Sequence, residues 1–171
     1  MTKLSSFGWN PWFEEAFNKN EVKDSIPAKI VGEYQDQYKV HTGTQALKAV
    51  VTGKLLHYSD ESDFPKIGDW VVLTIADKDL GVIHETLPRK THLSRKRPGT
   101  NIKEQLIAAN VDVVFIVMGL DHDFNLRRLE RYITAVNKTG ARPVAVLNKT
   151  DICRSTKEKL ASIKKLYKNM P

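Results

Sequence analysis

The chain has a single cysteine, Cys153, among its 171 residues, so no internal disulfide can form. Its longest apolar run, Val111 to Leu120, contains Asp112 and falls short of the ~18 residues of a membrane span. No apolar signal core opens the sequence, so a cytoplasmic protein with no membrane partner is expected. The five histidines, His41, His57, His84, His92 and His122, lack metal-ligand spacing, and no metal site is expected within these residues. Missing too is a Gly-rich loop ending in Gly-Lys-Ser/Thr, since the nearest fragment, Gly53-Lys54, runs on into Leu55. An Asp-x-x-Gly that could sense a γ-phosphate is likewise absent. With 41% apolar and 27% charged residues, the composition excludes collagen and wholesale disorder.

What is present is a net charge of +7, unevenly distributed. Residues 87 to 103 carry six basic side chains and no acidic one, and the tail from Arg142 onward is also strongly basic. Such asymmetry points to a polyanionic partner. For the tail, a merely solvated helix face explains the charge equally well. The block Arg89, Lys90, Arg95, Lys96 and Arg97 lies in a segment punctuated by Pro and Gly with no acid to neutralise it, and is read as a nucleic-acid contact.

Periodicity divides the chain. Asn10-Pro11 has the signature of an N-cap followed by a first helical residue, opening a short helix unusually rich in aromatics: Trp9, Trp12, Phe13 and Phe17. Their near-helical spacing favours packing against the next domain over base stacking. From Ser25 to Leu87 the period becomes two, with strands expected at about 26–34, 36–42, 45–53, 69–76 and 80–87. Five short strands are most economically closed into a small barrel; an OB-like barrel fits best, although an SH3-like one has almost the same signature and period alone does not separate them. Beyond the basic segment the pattern reads strand (Val111 to Met118), helix (Leu126 to Lys138), strand (Pro143 to Leu147) and helix (Thr156 to Lys168), hence a parallel βαβα arrangement. Asn125 is positioned to cap the first helix, and Ser155 with Glu158 has capping-box spacing for the second, whose apolar stripe is Leu160, Ile163, Leu166 and Tyr167. Two parallel strands and two helices are too little for a finished α/β domain, so the chain is expected to stop mid-domain. The expected organisation is 1–25 an aromatic helix, 26–88 the barrel, 89–105 a basic connector and 106–171 the first part of an α/β domain.

The sharpest motif is Asn148-Lys149-Thr150-Asp151, placed at the exit of an expected parallel strand, where open α/β sheets hold their ligands. A carboxylate at Asp151 can accept two parallel hydrogen bonds from the N1 and exocyclic N2 donors of guanine, which adenine does not offer. The aliphatic stem of Lys149 can lie over the base while its ammonium stays hydrated, and Asn148 can brace the loop. The plainer reading is an Asn and an Asp that only turn the chain and cap the helix. A guanine-nucleotide enzyme also needs a phosphate loop to cradle phosphates and hold Mg²⁺. Either the motif is accidental, or the parts are permuted and the phosphate site lies beyond Pro171. Asp121-His122-Asp123 resembles a small acid/base cluster but reads better as an acidic turn before a capped helix. Arg127, Arg128 and Arg131 suit a solvated face at least as well as RNA, and Cys153, without a His partner, reads as inert.

Several motifs in fixed order decide between these readings. The run Phe7-Gly-Trp-Asn-Pro-Trp-Phe-Glu, the segment Asp63-Phe-Pro-Lys-Ile-Gly-Asp-Trp-Val, Leu93-Ser-Arg-Lys, Glu104-Gln-Leu-Ile-Ala-Ala-Asn-Val-Asp, Asp123-Phe-Asn-Leu-Arg-Arg-Leu-Glu-Arg-Tyr and Leu147-Asn-Lys-Thr-Asp resemble the bacterial ribosome-small-subunit-dependent GTPase A family, from about Ser6 to Asp151. The resemblance implies an OB-fold, then a circularly permuted P-loop GTPase domain whose base-recognition motif precedes its phosphate loop, then a zinc-binding domain. It implies GTP hydrolysis stimulated by the small ribosomal subunit during late maturation, with GTP or GDP and Mg²⁺ as ligands and rRNA as partner. Asn148, Lys149 and Asp151 correspond to its guanine-specificity motif. Because the phosphate loop, switch motifs and zinc ligands are absent from these residues, this chain alone is expected to be inactive, with no catalytic residue of its own. The rival from another class is a non-enzymatic RNA-binding OB protein whose α/β piece is a docking element.

Overall fold

The computed structural model describes residues 3–35, 37–58, 64–96 and 104–168, which form two compact units, 1–110 and 111–171. In the first, a 3-10 turn at Lys3–Phe7 leads to α1 (Pro11–Phe17). Its cap is the expected one: Asn10 Oδ1 accepts the Trp12 N–H at 3.1 Å, with Pro11 at the first helical position. Trp9 and Phe13 of this segment are buried against Trp70, Val72 and Leu87, with the Trp9 and Trp70 rings edge-to-face at 4.7 Å, while Trp12 stays exposed.

Five strands follow: β1 (Ile26–Glu33), β2 (Tyr38–His41), β3 (Ala46–Val51), β4 (Trp70–Asp77) and β5 (Leu80–Thr86), with the short helix α2 (Gly53–Tyr58) between β3 and β4. They close in the order β1-β2-β3-β5-β4, with β3 and β5 parallel and the other pairs antiparallel. This strand order, with a helix bridging β3 and β4, is the OB arrangement, and it resolves what periodicity left open. Inward positions alternate as the period of two demands. Ala28, Ile30, Val40, Leu47, Ala49, Val71, Leu73 and Ile83 make a core at 3% exposure or less, and a single closed interior accounts for that completeness.

The basic segment, expected as a connector over 89–105, is paired where it is described. It forms a hairpin of β6 (His92–Lys96) and β7 (Glu104–Ala109), which belongs to the barrel unit. Three contacts tie it down. Ala109 N–H donates to Ile67 O at 2.9 Å, Asn110 Nδ2 donates to Gly68 O at 3.1 Å, and Lys90 N–H donates to Asn110 Oδ1 at 2.9 Å. Gly68, at φ +94°, is required here, because a Cβ would stand 2.0 Å from the Ala109 carbonyl oxygen.

The second unit consists of β8 (Val113–Gly119), α3 (Leu126–Asn137), β9 (Arg142–Asn148) and α4 (Thr156–Lys168). As the βαβα pattern predicts, β8 and β9 pair in parallel, in register from Val113 opposite Arg142 to Gly119 opposite Asn148. Asn125 caps α3 through the Arg128 N–H at 3.0 Å, and Leu129, Ile133 and Val136 turn inward at i, i+4 and i+7. They meet Ile116 and Met118 of β8 and Ile163 of α4. The expected stripe on α4 is only half used: Ile163 and Leu166 pack, while Leu160 and Tyr167 stay exposed. No hydrogen bond joins Ser155 and Glu158 among the described residues; Thr156 Oγ1 instead donates back to Cys153 O at 3.1 Å.

Candidate functional site

The carboxyl ends of β8 and β9 converge. Leu120, fully buried just past β8, donates its N–H to Asn148 O at 2.9 Å and accepts Lys159 Nζ from α4 on its own carbonyl at 2.6 Å. This lock fixes where the two strand exits release the chain. Asn148 ends β9, and its Oδ1 accepts the Lys149 N–H at 2.8 Å; Lys149 then takes the left-handed conformation, φ +60°. That turn is costly for a residue with a Cβ, roughly 1–2 kcal/mol, and is held by the bonds around it. Asp151 follows in an exposed bend, with no hydrogen-bond or ion-pair partner among the described residues. The structure thus brings Asn148, Lys149 and Asp151 onto one exposed loop at the strand exits, which carries both an amphipathic stem and a carboxylate acceptor.

Asp121, read from sequence as part of an acidic turn, is the residue that sequence reasoning missed. Its carboxylate is 9% exposed; Oδ2 accepts Lys149 Nζ at 2.6 Å and Oδ1 accepts the Asp123 N–H at 3.1 Å. The bond from Lys149 holds the Asp121 carboxyl down to about 2, and the same contact pushes the Lys149 ammonium up. A lowered acid and a raised base set the window. The pair is intact above the ordinary carboxylate range near ~4 and below the ordinary ammonium range near ~10, dissolving only as pH falls through about 2 or rises past the ammonium's raised value. No sequence pattern pairs Asp121 with Lys149, because the two meet only once β8 lies beside β9. Arg128, a weak RNA candidate, is committed to Asp123 at 2.7 Å.

The basic candidates divide. Arg89 does not offer its charge to solvent: its guanidinium grips the fully buried Asp69 through Nε at 2.8 Å and Nη2 at 2.7 Å, and Nη2 also reaches Phe64 O at 3.0 Å. The acid absent from its own segment is supplied by the barrel, and Arg89 is held as half of a largely buried ion pair. Lys90 Nζ sits 3.2 Å from Asn10 Oδ1 and 5.1 Å over the Trp12 ring, though the residue stays exposed. Arg95 and Lys96 lie on β6 with side chains outside the described residues, and Arg97 lies outside them altogether. In register, Lys96 stands opposite Glu104.

The barrel adds a groove that sequence reasoning did not single out. Tyr34 and Tyr38, Lys39 of β2, Lys48 of β3 and Asp79 of the β4–β5 turn line it. Tyr34 is 64% exposed, and burial pushes the Tyr38 hydroxyl up from its ordinary value. Lys39 and Lys48 are direct cross-strand partners, a like-charge pairing that disfavours the sheet by itself.

Two solved structures share this fold, that of the circularly permuted GTPases. They are YloQ, "a circularly permuted GTPase", at TM-score 0.61 and 19% identity over 87% of this chain and 49% of that one, and YjeQ from Thermotoga maritima, at 0.62 and 20% over 84% and 48%. A family profile described as RsgA GTPase matches residues 86–171. The chain belongs to the RsgA GTPase family. Among curated relatives, the Small ribosomal subunit biogenesis GTPase RsgA of Opitutus terrae is 35% identical over 178 residues, covering 98% of this chain and 48% of that protein. RsgA 2 of Vibrio parahaemolyticus is 36% identical over 165 residues, covering 95% and 42%. The chain therefore spans about half the length of the curated relatives it matches.

Proposed function

We propose that the gene product carrying this chain is a GTPase of small-ribosomal-subunit maturation, in which the loop Asn148–Asp151 selects guanine and the barrel unit holds rRNA. The observation that carries the reading is the Asp151 carboxylate, exposed and without a partner among the described residues, just past the exit of a parallel strand and two residues from a lysine already fixed in place. Family membership over the α/β unit weighs against a mere docking element there. RNA binding draws on two surfaces. One is the basic segment, with Lys90, Arg95, Lys96 and Arg97; the other is the groove, where Tyr34 offers a stacking face and the opposed Lys39 and Lys48 suit a phosphate backbone. The relatives' name supports the small subunit as partner and the cytoplasm as the place of work, and no helix among the described residues is long and apolar enough to cross a membrane.

Hydrolysis in this reading needs a phosphate loop and switch residues that these 171 residues do not contain, so the chain alone binds guanine weakly and does not turn over GTP. Mg²⁺ with GTP or GDP, and zinc in a further domain, belong to the proposal only: no group of three potential metal ligands occurs among the described residues, and neither ion is given a ligand here.

The test is Asp151→Asn in the gene product. An amide at that position presents a donor where the carboxylate presented an acceptor, so preference should move from guanosine to xanthosine diphosphate, by about tenfold or more. A variant that keeps its guanine preference would remove Asp151 from base recognition.

A further inference from the structure

We infer that Asp121 is a positioning residue for base recognition: it holds the Lys149 ammonium so that the lysine stem stands at the rim of the guanine loop before any nucleotide arrives. The inference rests on the guanine reading of Asn148–Asp151 and adds to it a residue from the other strand. Three observations converge on it. Asp121 Oδ2 takes Lys149 Nζ at 2.6 Å from a side chain only 9% exposed, whereas the lysine side chain is half exposed, so the acid is the fixed partner. The acid is itself held by the Asp123 N–H and by the buried Leu120 that precedes it, which is locked to both β9 and α4. Finally, Gly119 leaves the room the carboxylate occupies, since a Cβ there would lie 2.7 Å from Asp121 Oδ1 and 3.6 Å from Lys149 Cδ.

The physical consequence concerns entropy. A free lysine on a loop samples many rotamers, and freezing them when a base docks would weaken binding. Asp121 freezes them beforehand, and the left-handed backbone of Lys149 aims the stem from the other end. His122 Nδ1, 3.7 Å from the same Oδ2, belongs to a ring side chain 94% exposed and is no competitor for the lysine's place. Base identity remains with Asp151; Asp121 sets how tightly any accepted base is held.

The experiment is a double-variant cycle in the gene product, with GDP affinity measured by calorimetry for wild type, Asp121→Asn, Lys149→Met and the double variant. Asp121→Asn should weaken GDP about three- to tenfold without moving the choice between guanine and xanthine, and should cost nothing further once Lys149 is Met. Asp121→Glu should recover part of the loss, and Gly119→Ala should reproduce it. Independently of folding effects on affinity, the Lys149 ammonium should give a slowly exchanging ¹H–¹⁵N signal in the 171-residue chain at neutral pH that disappears in Asp121→Asn. An undiminished GDP affinity in Asp121→Asn, an equal loss in the Lys149→Met background, or an ammonium signal indifferent to Asp121 would each overturn the inference. If Asp151→Asn fails to move preference toward xanthine, the guanine reading itself falls; if it does move while the cycle shows no coupling, only the positioning role falls.

Discussion

The two units solve the same problem, hiding an apolar sheet face, with unequal completeness. The barrel closes on itself, so its strands have one interior and eight core residues lie at 3% exposure or less. The α/β unit has a two-stranded parallel sheet with its helices packed on one side. Along β8, Ile116 and Met118 are buried against α3 and α4, while their neighbours Phe115 and Val117 are 67% and 63% exposed. A closed barrel needs no second layer, whereas an open parallel sheet needs cover on both faces. The chemistry nonetheless gathers at the half-covered sheet, because only parallel strands bring two exits, and thus Asp121 and Lys149, to the same end.

The sharpest way to break that comparison is at the barrel's buried ion pair. Arg89→Ala leaves Asp69 buried without its cation and should lower the barrel unit's stability by about 3–5 kcal/mol. Urea unfolding followed by tryptophan fluorescence isolates this unit, since Trp9, Trp12 and Trp70 all lie in it; a loss under about 1 kcal/mol would make the pair dispensable. Within the α/β unit, Ile116→Ala should cost about 2–5 kcal/mol, but the adjacent Phe115→Ala less than about 0.5 kcal/mol in this chain. Equal costs, read from methyl NMR of Met118 during urea titration, would mean that the exposed face is covered after all. The smallest effect is electrostatic. Replacing Arg95, Lys96 and Arg97 with Gln should reduce the salt slope of single-stranded RNA binding by about 2, at ~0.7 per phosphate contact, while leaving GDP affinity unchanged. An unaltered slope would leave RNA binding to the groove of Tyr34, Lys39 and Lys48.

Much of the fold was legible because it depends on local rules. The alternation of Leu47 and Ala49 with their exposed neighbours marked β3, and the oxygens of Asn10 and Asn125 marked helix starts. The hairpin β6–β7 was not legible. Its Pro and Gly punctuation and unrelieved positive charge read as an open connector, and only the contacts of Ala109 and Asn110 with Ile67 and Gly68 make it part of the barrel. The bonds of Arg89 were not legible for the same reason. Its partner, Asp69, lies 20 residues away, and charge counting along a segment cannot see an anion delivered from another element.

The order of amino acids alone determined the periods of the strands and helices, their caps and the Asn148–Asp151 string at a strand exit, since each follows from interactions within a few residues. Tertiary structure decided the OB strand order, which cations stay free and which are bound, and the meeting of Asp121 with Lys149 across 28 residues. Those outcomes depend on which strands lie side by side and in what register, and hydrogen bonding between strands, not the pattern within any one of them, selects that.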